Sequence, residues 1–254
     1  MLQAVSLGKV VTGSVKGIVA RSIALRRRTA GVDSLSPLIC EEIHKASLKR
    51  IADSTVRRLS LYLRYLEEFE TRGLATISSD ELAARGGTTS AQVRKDLSFF
   101  GSFGKRGLGY DVPQLGRRLR QILGLDREWR VIIVGAGNIG GALALYRGFR
   151  QRGFSIVAMY DTEASKIGKR FESLTVRDTA RLNEDNRRDP ADIAVITVPA
   201  EAAQSAANLI IDSGISAIMN FAPVQLQVPD DVTVKTVNMA MELEGLSFAL
   251  TNRE

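Results

Sequence analysis

The sequence predicts an α/β chain in two parts, a winged helix-turn-helix followed by a Rossmann-type dinucleotide-binding domain. Three observations predict it. Two S/T-x-x-E/Q capping signatures flank a Gly-Gly turn in SSDELAARGGTTSAQVRKDL. A glycine-broken basic segment, GSFGKRGLGY, follows. Then a strand-like run with a glycine turn, RVIIVGAGNIGGALA, opens an alternation of strands and helices that reaches the C-terminus.

The elements can be taken in order. Residues 1–50 are valine- and arginine-rich with weak periodicity, and the first 32 carry six basic side chains and no acid. This stretch reads as a disordered basic extension or as sequence upstream of the true start; a transit peptide or a DNA-binding arm has the same composition. From Asp53 the pattern is regular. Ser54 or Thr55 can cap a helix running to about Arg72, with Leu59, Tyr62, Leu63, Leu66 and Phe69 on one face and Gly73 at its end. Ser78 and Glu81 form a capping box that opens a short helix to Arg85, and Gly86-Gly87 is the turn. Thr89 and Gln92 repeat the spacing and open a third helix to about Phe100. Gly101, Gly104, Gly107 and Gly109 then punctuate a hairpin wing carrying Lys105 and Arg106, and Pro113 starts a helix to Leu123.

Beyond Arg130, strands are expected at 130–134, 155–160, 194–198, 217–221 and 232–237. Helices are expected at 138–150, 201–212 and 239–250. Such alternation predicts a parallel sheet covered on both faces. The expected domains are 1–50 as extension, 51–127 as winged helix with its linker helix, and 128–254 as the Rossmann part.

Charge is placed unevenly. Residues 51–125 carry twelve basic and eight acidic side chains, whereas 126–254 carry fourteen and seventeen. A basic front and a mildly acidic back imply that the front meets a polyanion. Cys40 and His44 are the only residues of their types, so no disulfide framework and no zinc cluster is available, and no metal is expected. The lone cysteine fits a cytoplasmic setting. No apolar run approaches the ~18 residues of a membrane span.

On the third helix, Val93, Leu97 and Phe100 share the face that must pack inward. The opposite face presents Ala91, Lys95 and Ser98, flanked by Gln92, Arg94 and Phe99. Arg and Lys donate to guanine edges, and Gln can pair with adenine. Ser90 and Ser98 suit phosphates. Gln92 has a competing role as the capping partner of Thr89. Asp96 is expected to pair with a basic neighbour. Lys105 and Arg106 suit a minor groove.

Gly135, Gly137 and Gly140 form G-x-G-x-x-G directly after a strand and at the head of a helix, with Ala136, Asn138 and Ile139 between them. The first glycine permits the tight turn, the second lets the backbone approach a pyrophosphate, and the third lets helix and strand pack closely. Asp161 ends the next strand 21 residues after Gly140. A carboxylate there accepts from ribose hydroxyls and repels a 2′-phosphate, which favours NAD(H), although Lys166 and Lys169 lie near in sequence.

Catalysis finds little support. His44 lies outside both domains, no cysteine follows position 40, and no tyrosine (62, 65, 110, 146, 160) has a lysine four residues on. Lys or Asp can still serve, so two other readings stay open: an NAD-dependent oxidoreductase with a fused DNA-binding domain, and a dinucleotide sensor that is not redox-linked.

Over residues 49–251 the chain resembles the bacterial redox-sensing transcriptional repressors of the Rex family. The matching stretches are RLSLYLRYLEE, SAQVRKDLSFFGSFGKRGLGYDV, LGLDREW, VGAGNIG, VPAEAAQ, ISAIMNFAPV and LSFAL. The resemblance implies a homodimer that exchanges its last helix, binds palindromic operator DNA, and takes NADH and NAD⁺ at one regulatory site, with NADH causing release. It implies that Val198, Pro199, Asn220, Phe221, Ala222 and Pro223 line the nicotinamide side. It also implies that Arg64 and Tyr110 link the DNA-binding part to the cofactor state. The chain departs from the family pattern at Asn238, where the family usually has Asp, and at Ser60, where Pro is common.

Overall fold

The computed structural model describes residues 51–104 and 108–252. The extension at 1–50 and the wing residues Lys105 and Arg106 therefore lie outside the described residues.

Helix α1 (Asp53–Thr71) starts the first part. Strand β1 (Thr76–Ile77), helix α2 (Ser79–Gly86) and helix α3 (Ser90–Ser98) follow. Strand β2 (Tyr110–Asp111) then pairs antiparallel with β1, and α4 (Val112–Ile122) completes the part. The capping box at α2 forms as expected: the Glu81 N–H donates to Ser78 Oγ at 3.1 Å, and the Ser78 N–H donates to Glu81 Oε2 at 2.8 Å. Gly87 ends that helix in the left-handed region at φ 59°, which a side chain would oppose. The core combines Leu59, Tyr62, Leu63 and Leu66 of α1 with Leu82, Val93, Leu97, Val112, Leu115 and Leu119, all buried. Phe100 and Phe69 pack on its margin. The wing sheet therefore joins the segment before α2 to the segment before α4, an anchoring that glycine spacing alone did not reveal.

The second part is a seven-stranded sheet in the order β5-β6-β4-β3-β7-β8-β9. Its members are β3 (Trp129–Val134), β4 (Phe154–Asp161), β5 (Arg170–Phe171), β6 (Leu174–Asp178), β7 (Ile193–Ile196), β8 (Ala217–Asn220) and β9 (Thr233–Thr236). All neighbours are parallel except the β5–β6 pair. Alternation sorts the central strand. Ile132 and Val134 face Ala203, Ala206, Ala207 and Ile210 of α8 (Ala200–Asp212), while Val131 and Ile133 join Met159, Val176 and Val195 in a second cluster.

Three elements differ from expectation. The helix expected at 138–150 is two short ones, α5 (Asn138–Ala144) and α6 (Gly148–Gln151). Between them Tyr146 stacks edge-on against Phe149 at 5.0 Å, and a Cβ on Gly148 would lie 2.5 Å from the Tyr146 ring. Strands β5 and β6 and helix α7 (Leu182–Arg188) fill a stretch that reads as loop. Only Val176 and Leu182 are fully apolar and buried there, too few to show a period. The last helix, α9 (Met239–Thr251), is exposed along its length although it carries Met239, Met241, Leu243, Leu246, Phe248 and Leu250.

Candidate functional site

Helix α3, the expected DNA-reading helix, is fixed from beneath. Asp96 is fully buried and accepts from Arg58 Nε at 2.6 Å, Arg58 Nη2 at 2.7 Å, Tyr62 Oη at 3.0 Å and Gln92 Nε2 at 2.7 Å. Burial pushes its carboxyl upward, but these donors outweigh burial and hold it below the usual carboxylate range. Burial, with the Asp96 carboxylate, raises Tyr62, which stays a donor. The expected basic partner of Asp96 is thus Arg58, across 38 positions of sequence.

This network reassigns Gln92. Its backbone N–H donates to the Thr89 hydroxyl at 3.2 Å, but its side-chain amide donates one hydrogen to Asp96, so the second capping box is half formed. Arg94 donates to Ser79 Oγ at 2.8 Å, and Ser98 donates to its own helix at the Lys95 carbonyl. Ser90 opens the helix beside the Thr89 cap. Lys95 is exposed, and among the described residues its ammonium has no hydrogen-bond or ion-pair partner.

The glycine loop sits where strand order reverses, between the C-terminal ends of β3 and β7. Ligands bind at such switch points in doubly wound sheets. Gly135 holds φ 111° and donates to the Tyr160 carbonyl at 2.8 Å; a Cβ there would lie 2.6 Å from the Thr197 carbonyl oxygen. A Cβ on Gly140 would lie 2.0 Å from the Gly135 oxygen. On Gly137 a Cβ would meet nothing within 4 Å, so the loop is open at the glycine over which a pyrophosphate would lie. The loop's fit to a dinucleotide rests on that contrast. Ala136 and Gly140 are buried, whereas Asn138 and Ile139 face outward. Thr197, not expected from sequence, donates its hydroxyl to the Gly135 carbonyl at 2.8 Å and locks the turn. A hydroxyl one residue past a strand end carries no spacing signal.

Asp161 is buried at the end of β4. Its Oδ2 accepts from the Ala136 N–H at 2.7 Å and its Oδ1 from the Glu163 N–H at 2.8 Å. Burial works against its charge, but those two N–H groups and the Lys166 ammonium prevail and hold it below the usual range. Among the residues expected on the nicotinamide side, Val198, Pro199, Phe221 and Pro223 keep some exposure. Asn220 does not: it is fully buried, donates to the Ala222 and Val224 carbonyls at 3.1 and 2.9 Å, and accepts from the Ala222 N–H. Asn220 and the buried Ala222 therefore shape the loop that carries Phe221 and Pro223, and their own surfaces are closed.

The linking residues separate. Arg64 is exposed on α1. Tyr110 is not a surface group: it pairs with Ile77 and is buried in the α1–α4 core, which raises its pKa by desolvation. Its ring packs in that core beside Leu63, Leu66 and Val112. The exposed tyrosine is Tyr146, just after the glycine-loop helix α5. Asn238 caps α9, its Oδ1 accepting from the Ala240 and Met241 N–H groups at 3.0 and 3.4 Å.

Among the described residues no group of His, Cys, Asp and Glu could hold a metal ion, and no helix is long and apolar enough to cross a membrane.

Two family models match, one described as putative DNA-binding protein N-terminus at residues 50–98 and one as CoA binding domain at 126–224. The redox-sensing transcriptional repressor Rex of Carboxydothermus hydrogenoformans is 46% identical over 199 residues, covering 78% of this chain and 96% of its own. The same-named protein of Syntrophomonas wolfei is 47% identical over 206 residues, covering 80% and 98%. A crystal structure of RSP in complex with β-NAD⁺ and operator DNA superposes with a TM-score of 0.76 at 38% identity, covering 79% of this chain and 92% of that one. RSP with β-NADH gives 0.72 at 36% identity, covering 79% and 94%.

Proposed function

The chain belongs to the Rex family of redox-sensing transcriptional repressors, and from that premise we propose that it binds operator DNA as a homodimer and releases it when NADH fills the glycine loop. The observation that carries the reading is the pairing, in one chain, of a helix α3 with an exposed Lys95 and a glycine loop open at Gly137 whose Ala136 N–H donates to the Asp161 carboxylate. NADH and NAD⁺ are regulatory ligands in this reading, and the chain catalyses no turnover. It acts in the cytoplasm, where its operators and the nucleotide pool meet.

Residues 51–127 are the DNA-binding part, 128–254 bind nucleotide and dimerise, and 1–50 are an extension. Lys95 and Arg94 read the major groove, Ser90 and Ser98 approach phosphates, and Lys105 and Arg106 enter the minor groove. Helix α9 supports the dimer. A helix that exposes Met239, Met241, Leu243, Leu246, Phe248 and Leu250 needs cover, and a second copy exchanging the same helix supplies it.

NADH differs from NAD⁺ by a neutral nicotinamide ring. A ligand shifts a two-state equilibrium only by its differential affinity for the states. Closure of the dimer around the neutral ring changes the separation of two recognition helices that must meet half-sites one helical turn apart. Arg64 and Asn238 are the proposed link. Asn238 caps α9 with its oxygen and keeps its amide to donate, so the link here is a hydrogen bond in place of an ion pair.

Fluorescence anisotropy of a labelled palindromic duplex, at fixed salt, tests the reading. Release by NADH and retention with NAD⁺ are expected. Tight binding indifferent to both would refute redox sensing, and NADH oxidation with any small carbonyl would refute the absence of catalysis.

A further inference from the structure

The ribose end of the nucleotide site holds a second acid and a cation that the dinucleotide reading does not use. The loop after β4 turns on itself, with the Lys166 and Ile167 N–H groups donating to the Glu163 carbonyl at 2.9 and 3.2 Å. That turn brings Lys166 Nζ to 2.7 Å from Glu163 Oε2 and 3.4 Å from Asp161 Oδ2. The other Glu163 oxygen accepts from the Ser165 hydroxyl, so the carboxylate is held at both ends. Two carboxylates thus share one ammonium directly beside the atoms that would meet the ribose hydroxyls.

We propose that Glu163 sets the choice between NAD(H) and NADP(H) by holding the Lys166 ammonium in an ion pair and so denying it to a 2′-phosphate. The proposal rests on the dinucleotide reading of the glycine loop. Asp161 alone repels a 2′-phosphate, but the adjacent ammonium would offset that repulsion if it could turn to the phosphate. Glu163 prevents the turn by its ion pair, and its charge adds a smaller, independent repulsion. It occupies the ammonium at close range, and it leaves the cluster with a net negative charge. The ammonium and carboxylate reinforce each other's ionisation: Lys166 holds Glu163 below the usual carboxylate range, and Glu163 holds Lys166 above the usual amine value. Both are therefore charged at neutral pH. The sequence shows Lys166 beside Asp161 but gives no sign of which acid the lysine serves; the turn decides it.

Isothermal titration calorimetry of the full chain with NADH and, separately, NADPH tests this. The readout is the ratio of the two dissociation constants. Glu163→Gln is expected to move the ratio towards NADPH by about tenfold, the size of one charge-assisted hydrogen bond. Lys166→Met is expected to move it away from NADPH by about threefold. In the Lys166→Met background, Glu163→Gln should recover much less than it does alone, because no cation remains to be freed. A Glu163→Gln ratio within about twofold of the parent's overturns the proposal. So does an equal gain in both backgrounds, which would reduce Glu163 to a simple repulsive charge. A parent chain that binds neither nucleotide overturns the dinucleotide reading itself, and this proposal with it.

Discussion

Replacing Asp96 by Asn should loosen the recognition helix at its root. The carboxylate is wholly buried and accepts four hydrogen bonds, two from the Arg58 guanidinium and one each from Tyr62 and Gln92. An Asn keeps the shape but presents an amide donor to at least one of these donors, and it removes the charge that balances Arg58. Breaking one partner of a buried ion pair costs about 3–5 kcal/mol. The Arg58 side chain is 26% exposed and can regain water, so the lower end, about 3 kcal/mol, is expected. That is a large share of the 5–15 kcal/mol typical of a folded domain. Urea unfolding followed by helical circular dichroism reads the loss, and operator anisotropy should weaken in parallel. A destabilisation below about 1 kcal/mol would refute the reasoning, since only a solvent-screened pair is worth so little. The same carboxyl fixes a pH dependence. Its folded pKa lies below its unfolded value, so its contribution is fully present above about pH 4 and is lost as pH falls through the folded pKa. In Asp96→Asn that part of the acid sensitivity should vanish.

Gly140→Ala places a Cβ 2.0 Å from the Gly135 carbonyl oxygen, a backbone atom that cannot yield, so NADH binding by calorimetry should fall at least tenfold. Normal NADH affinity would count against the glycine-loop site. Phe248→Glu puts a charge on the apolar α9, and sedimentation should show a shift from dimer to monomer; an unchanged dimer would place the interface elsewhere. Asn238→Asp retains an acceptor for the α9 N–H groups and adds a carboxylate for Arg64, so NADH should release operator at a lower concentration. Arg64→Ala should abolish that gain, and an equal response in both variants would remove Arg64 from the coupling.

Elements whose physics is local were legible before any coordinates. The box from Ser78 to Glu81 needs only four residues, and the glycine signature needs only a strand before it and a helix after it. The inward face of α3 follows from the 3.6-residue period. The stretch from Arg170 to Arg188 was not legible, because β5 buries no side chain, β6 only Val176, and the polar α7 only one apolar side chain, Leu182. The burial of Tyr110 was not legible either, because a tyrosine near a wing looks the same in sequence whether its ring turns inward or outward.

The sequence by itself determined the two-part order, the glycine turn after β3, the acid at the end of β4 and the basic front, since each depends on residues close in the chain or on summed charge. The tertiary structure alone decided which partners the polar groups take. Gln92 belongs to Asp96, Asn220 to its own loop, and Lys166 to Glu163 more closely than to Asp161. Hydrogen bonds and ion pairs act over about 3 Å, and packing rather than spacing brings Arg58 within that reach of Asp96.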